Sequence, residues 1–189
     1  MLQTSLARPQ AVEADSVVTT PARYEVSFAR TLAEIEEAQS LRHRVFAQEL
    51  GARLNPEGSA RGLDVDCFDA HCTHLLVREQ TANEVVGTYR ILDPRSAVRA
   101  GGYYSETEFN LSALEPIREQ LVEVGRSCVH PDHRAGAVVM LLWAGLVQFM
   151  QAGRYRYLAG CASVSLADGG ATAAGAIKLL CDNQPAPDA

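Results

Sequence analysis

Glu123-Val-Gly-Arg126 sets a carboxylate and a guanidinium three residues apart inside the apolar run Leu121 to Val129. That run has the composition of a strand, and on a regular pleat side chains three apart point to opposite faces. Gly125 between them is a natural place for a β-bulge, which would reset the alternation and leave a backbone N–H unpaired. An N–H so exposed can polarise a thioester carbonyl and stabilise its tetrahedral intermediate. An ion pair near a sheet end fits the same spacing, and the four residues alone do not choose between the two.

Other groups could share in such chemistry. His130-Pro-Asp-His-Arg-Ala-Gly136 leads into a helix N-terminus, where free N–H groups favour an anion such as a pantetheine phosphate, although the turn lacks a fuller Gly-rich cradle. Asp64, Asp66 and Asp69 follow the helix that carries Arg44 and have the chemistry to hold an amino acid's charged ends, or else are a solvated loop. Cys67, His71, Cys72 and His74 match no common zinc spacing, so no metal is assigned. Cys128 among apolar strand residues reads as a small core hydrophobe, and Trp143 likewise as core.

These residues need a frame. At 189 residues, 47% hydrophobic and 21% charged, the chain suits one soluble domain with a substantial core. A net charge of -6 argues against a nucleic-acid partner. The five cysteines are odd in number and irregularly spaced, with no leader evident before them, which points to the cytoplasm. The spacing predicts an unstructured tail over 1–23, a domain over 24–180 and a frayed tail over 181–189.

Within the domain, Tyr24 to Phe28 alternates as a strand. Thr31 and Glu34 form a capping box for a helix running to about Leu50. Gly51 to Asp69 reads as loop, free to cover a site, and two β-rich runs, Thr73–Val77 and Glu84–Leu92, make a hairpin. After the strand at Glu123 come a buried apolar helix from Ala137 to about Gln151 and a strand from Tyr157 to Leu166. The second strand would lie parallel to the first. An Ala-rich helix then reaches Leu180. The fold class is α/β, a mixed central sheet flanked by helices.

Arg44-Val-Phe46, Asp66-x-x-Asp69, Val86 to Leu92 and Glu123-x-x-Arg126 together resemble the acyl-homoserine-lactone synthases, a GNAT-fold family. The segments Gly102–Phe109, Glu123–Asp132, Leu142–Gly145 and Gly160–Ser163 are more similar still to the ornithine Nα-acyltransferases, often labelled hemolysin-like. That resemblance implies transfer of a 3-hydroxyacyl chain from acyl carrier protein to the α-amine of L-ornithine, the first step of ornithine-lipid synthesis. No cofactor is implied beyond the phosphopantetheine of the donor, and release of a lipid product is compatible with peripheral contact at the inner membrane face.

By matching positions it makes Glu123 the base, directly or through water, and Arg126 its catalytic partner. Arg44, Asp66, Asp69 and Arg90 would then hold the amino acid, and Val129, His130, Arg134 and Gly136 the donor. The short run after Gly170 implies a GNAT sheet without its closing strands. The competing expectations are an autoinducer synthase and an inactive acyl-thioester-binding module.

Overall fold

Residues 23–183 are described by the computed structural model, in which β1 (Tyr24–Phe28) opens a five-stranded sheet. The expected N-terminal tail, except Arg23, lies outside the described residues, as do 184–189 of the expected C-terminal tail. Residues 181–183 form the end of the last helix.

The capping box starts α1 (Leu32–His43): the Glu34 N–H donates to Thr31 Oγ1 at 3.2 Å and the Thr31 N–H to Glu34 Oε2 at 2.9 Å. The α-helix does not continue to Leu50 as expected. From Arg44 to Glu49 the chain widens into a π-helix, with the Leu50 N–H reaching back five residues to the Val45 carbonyl at 3.1 Å. The expected loop contains a short α2 (Pro56–Ala60), and the hairpin follows as β2 (Thr73–Glu79) and β3 (Glu84–Leu92). Then come α3 (Pro94–Ala100), β4 (Leu121–Val129), α4 (Ala137–Gly153), β5 (Tyr157–Ala159) and α5 (Ala171–Asn183).

Strand order is β1-β2-β3-β4-β5, antiparallel up to β4 and parallel between β4 and β5. The strand expected over Tyr157–Leu166 is cut short, because pairing ends at Glu123↔Ala159. There the chain crosses the backbone of β4 so closely that a Cβ on Gly160 would fall 2.4 Å from the Val124 carbonyl oxygen. Val124 to Val129 therefore have no partner on that side, and no strand follows β5 among the described residues.

The sheet is covered on both faces. Leu75, Val77, Val86, Ile91, Val122 and Val129 pack against Val138, Leu142 and Leu146 of α4. On the opposite face Leu76, Val85 and Cys128 meet Ala38, Leu41 and Val45 of α1 and its π-helical end. Alternation along β4 breaks partway: Val122 and Val124 pack toward α4, whereas Cys128 packs toward α1. The cause is a bulge, since Arg90 pairs with Gly125 and Thr88 with Cys128, leaving Arg126 and Ser127 opposite Tyr89 alone.

The helix α4 is apolar but for Gln148 and Gln151, yet is buried along one stripe only, because a single sheet covers a single face. Met140 is 70% and Trp143 48% exposed, so Trp143 is not the core residue the sequence suggested. The buried stripe comes close to the strands through two glycines. A Cβ on Gly87 would lie 2.5 Å from Val138 Cγ1, and one on Gly145 2.6 Å from Leu75 Cδ1.

Gly87→Ala should therefore overpack this layer and cost roughly 1–3 kcal/mol in denaturant unfolding. Adding Val138→Ala should return part of that loss; a double variant as unstable as the sum of the two singles would show that the contact does not set the spacing.

Candidate functional site

Where the bulge turns β4, three arginines and three aspartates converge. Arg42 of α1, buried beneath the 64–69 loop, donates from Nε to Asp64 Oδ2 at 3.0 Å. Its Nη1 and Nη2 reach Asp69 at 3.0 and 2.8 Å, and Nη2 also bonds the Asp64 carbonyl. Arg90 of β3 holds both oxygens of Asp66 from Nη1 at 2.6 Å and Asp69 Oδ1 at 3.2 Å. Arg126, at φ +50°, places Nη2 3.3 Å from Asp66 Oδ2 and Nε 3.2 Å from Asp64 Oδ2. That Nε–H is close enough for ion pairing but misaligned for a hydrogen bond, and is left without one.

The charges cancel, as burial requires. Gln39 Nε2 and the Asp66 N–H add hydrogen bonds to Asp69 Oδ2 at 3.1 and 3.2 Å. Burial pushes the Asp69 carboxyl up, but the hydrogen bonds and charge of Arg42, with the charge of Arg90, outweigh it and hold the group at about 2. His74 beneath it donates from Nε2 to the Asp69 carbonyl at 3.1 Å, and its Nδ1 has no partner. Burial therefore draws the imidazole below its ordinary value. Cys128 is buried, which pushes its thiol up to about 12, as expected for a packing residue.

The loop is thus pinned to α1, and the expectation that it is free to cover a site is corrected. Within it, exposure separates the roles. The side chains of Asp66 and Arg126 are 20% and 28% exposed, while those of Asp64, Asp69, Arg42 and Arg90 are between 1% and 6%. Arg44 does not join the group; it pairs at 3.0 Å with Glu84 on the surface. The arginine that α1 contributes is Arg42. Arg42 stands four residues after Ala38 and three before Val45, so the helical stripe already put it inside.

Glu123 faces the same side as this group, one turn of chain away. Its Oε2 accepts from the Tyr104 N–H at 2.6 Å; its Oε1 accepts from the Ser105 N–H at 2.8 Å and from the Ser105 hydroxyl. The ring of Tyr104 lies under the Arg126 guanidinium, 5.6 Å from its centroid. Beside Glu123 opens a cavity of about 230 Å³ walled by Phe109, Leu111, Leu114 and Leu121, with Ser105 and Cys161 at its polar edge. Tyr104, Ser105 and Cys161 lie in the segments Gly102–Phe109 and Gly160–Ser163 that carry the family resemblance, but their spacing says nothing of Glu123, because the contacts join residues distant in the chain.

Beyond the bulge, β4 passes into the turn before α4. Gly136, at φ +99°, precedes the helix and no side chain caps it, so the first N–H groups of α4 are open. Arg134 pairs with Glu49, from Nη1 and Nη2 at 2.6 and 2.7 Å, and its Nε bonds the Val129 carbonyl at 3.1 Å. His130 bonds through its N–H to the Val86 carbonyl at 2.8 Å, and its ring accepts from the Asp132 N–H at 3.3 Å. No helix among the described residues is long and apolar enough to cross a membrane.

A mixed sheet whose bulged fourth strand parts from a parallel fifth, with an apolar cavity opening where they part, defines a GNAT-type acyltransferase fold. Residues 41–144 match the model of the acetyltransferase (GNAT) domain, and the chain belongs to that family.

Among curated relatives, the L-ornithine N(alpha)-acyltransferase of Rhizobium meliloti (strain 1021) is 41% identical over 71% of this chain and 48% of its own length. That of Rhodobacter capsulatus is 37% identical over 78% of this chain and 59% of its own. The chain spans about half the length of these relatives. Among solved structures, the CoA-dependent acyl-homoserine lactone synthase BjaI shares the fold at TM-score 0.55 and 20% identity, covering 80% of this chain and 72% of its own. FeeM, an N-acyl amino acid synthase from uncultured soil microbes, does so at 0.54 and 16%, covering 73% and 70%.

Two tests follow from the charge group. Arg42→Ala would strand two buried carboxylates and should cost roughly 3–5 kcal/mol, whereas Arg44→Ala should stay within about 0.5 kcal/mol in the same unfolding titration. Equal losses would refute the assignment. Acid should also weaken the fold in two stages. Below about 6.5 the unfolded chain protonates His74 more readily than the folded one, so stability declines as pH falls. Between about 3.8 and about 2 the contribution of Asp69 is lost as well. His74→Leu should flatten the upper stage of a stability–pH curve and leave the lower.

Proposed function

We propose that this chain carries the acyl-transfer site of an ornithine N-acyltransferase, moving a fatty acyl group from an acyl carrier protein thioester to the α-amine of L-ornithine. The observation that carries the reading is the buried carboxylate of Glu123 at the edge of an apolar cavity, where β4 and β5 part. The cavity suits an acyl chain; its polar edge suits the reacting amine. The curated relatives, named as L-ornithine N(alpha)-acyltransferases, supply the acceptor in this proposal.

A thioester is already activated, so the chain must orient the two partners, receive a proton and stabilise an oxyanion. In this scheme Glu123 is the eventual proton acceptor. Asp66 and Arg126, the exposed pair of the charge group, meet the ornithine ammonium and carboxylate, with Asp69 and Arg90 fixing them from within. The open N–H groups after Gly136, with the backbone N–H of Val129, receive the pantetheine arm, and His130 fixes the turn between them. A cytoplasmic site with peripheral contact to the inner membrane face belongs to the same reading.

The test is incubation with a 3-hydroxyacyl carrier protein and a panel of amines, with products identified by mass. An Nα-acyl ornithine is expected, and Asp66→Asn should raise KM for ornithine severalfold or more with little change for the donor. Acylation of S-adenosylmethionine with lactone release would assign an autoinducer synthase instead, and absence of any amide product would leave a thioester-binding module.

A further inference from the structure

Glu123 lines the cavity, but its carboxylate is largely taken up by hydrogen bonds. The residue is 6% exposed, and Oε1 spends its two lone-pair directions on the N–H and hydroxyl of Ser105. Oε2 is already accepting from Tyr104 N–H. Beside this carboxylate on the cavity wall is the Ser105 hydroxyl, whose oxygen also lies 3.1 Å from Cys161 Sγ.

Valence orders this chain of atoms. An ionised carboxylate only accepts, so the single hydroxyl proton of Ser105 points to Glu123 Oε1. In the contact with Cys161 the thiol is then the donor, and its S–H occupies one of the two lone pairs of Ser105 Oγ. One lone pair is left on a hydroxyl already polarised by the carboxylate behind it.

We infer that Ser105 is a catalytic proton relay, the group that touches the attacking amine and passes its proton to Glu123; this rests on the acyl-transfer reading above. The amine enters uncharged and attacks the acyl carbon, forming the C–N bond. Its N–H proton moves to Ser105 Oγ as the hydroxyl proton moves to Glu123 Oε1. When the intermediate collapses and the C–S bond breaks, Glu123 returns its proton to Ser105 and Ser105 gives one to the departing thiolate. Amine and thioester become amide and free thiol, and the enzyme is unchanged. Cys161 orients the hydroxyl and takes no part in bond making.

The experiment measures single-turnover acylation of L-ornithine from a 3-hydroxyacyl carrier protein by the full chain and its Ser105→Ala, Ser105→Thr and Cys161→Ala variants. General acid–base catalysis contributes about 10²–10⁴-fold, so Ser105→Ala should lose roughly 10²-fold or more in rate at near-constant ornithine affinity. Ser105→Thr should recover to within about tenfold, and Cys161→Ala should stay within severalfold.

Independently of any variant, the rate of the unaltered chain in H2O–D2O mixtures should bow downward, as two protons in flight require. A straight line there overturns the relay, as does a Ser105→Ala rate within about twofold of the unaltered chain or a loss confined to ornithine affinity. No amide from the unaltered chain overturns the acyl-transfer reading itself, and the relay with it.

Discussion

A guanidinium cannot shed its proton inside a protein, so a buried arginine dictates what surrounds it. Arg42, 1% exposed, is such a residue, and Asp64 and Asp69 are drawn over it from a segment that would otherwise be irregular surface. Once those carboxylates are in place, Arg90 and Arg126 fit around them with Asp66, and helix, loop and two strands are fixed to one another. Such a group adds little stability over a well-packed apolar one, but taking any member away leaves a charge stranded. One loop path brings all six side chains within ion-pairing distance of one another.

The bulge in β4 is the complement of that constraint. On a regular pleat Glu123 and Arg126 would face opposite sides of the sheet. One extra residue opposite Tyr89 turns both toward the α1 face, just beyond the point where pairing with β5 ends. A left-handed backbone at a residue with a Cβ costs on the order of 1–3 kcal/mol, and here the two ion pairs of Arg126 hold it in place. Strain, ion pairing and the opening of the cavity are therefore parts of one arrangement.

Much of this was readable in advance. The capping box at Thr31, the hairpin and the limits of β4 were legible because each depends on neighbours in sequence, and the bulge was legible from Glu123 and Arg126 flanking Gly125. The left-handed residue is Arg126 and not the glycine, since the ion pairs decide the conformation. That Arg42 and not Arg44 is buried follows from the helical stripe, which the motif around Arg44 does not report. The strand after Tyr157 and the burial of Trp143 failed for another reason: composition reports what a segment could do, and only the neighbouring layers decide how much of it is covered.

The widened end of α1 has a mechanical consequence. Arg42 ties the body of this helix to the loop over Glu123's side of the sheet, and Glu49, carried on the π-helical turn, grips Arg134 in the turn before α4. The two margins of the unpaired edge of β4 are thus hitched to a single rod. The inner tie is buried and the outer one exposed, so the two margins are held with unequal grip.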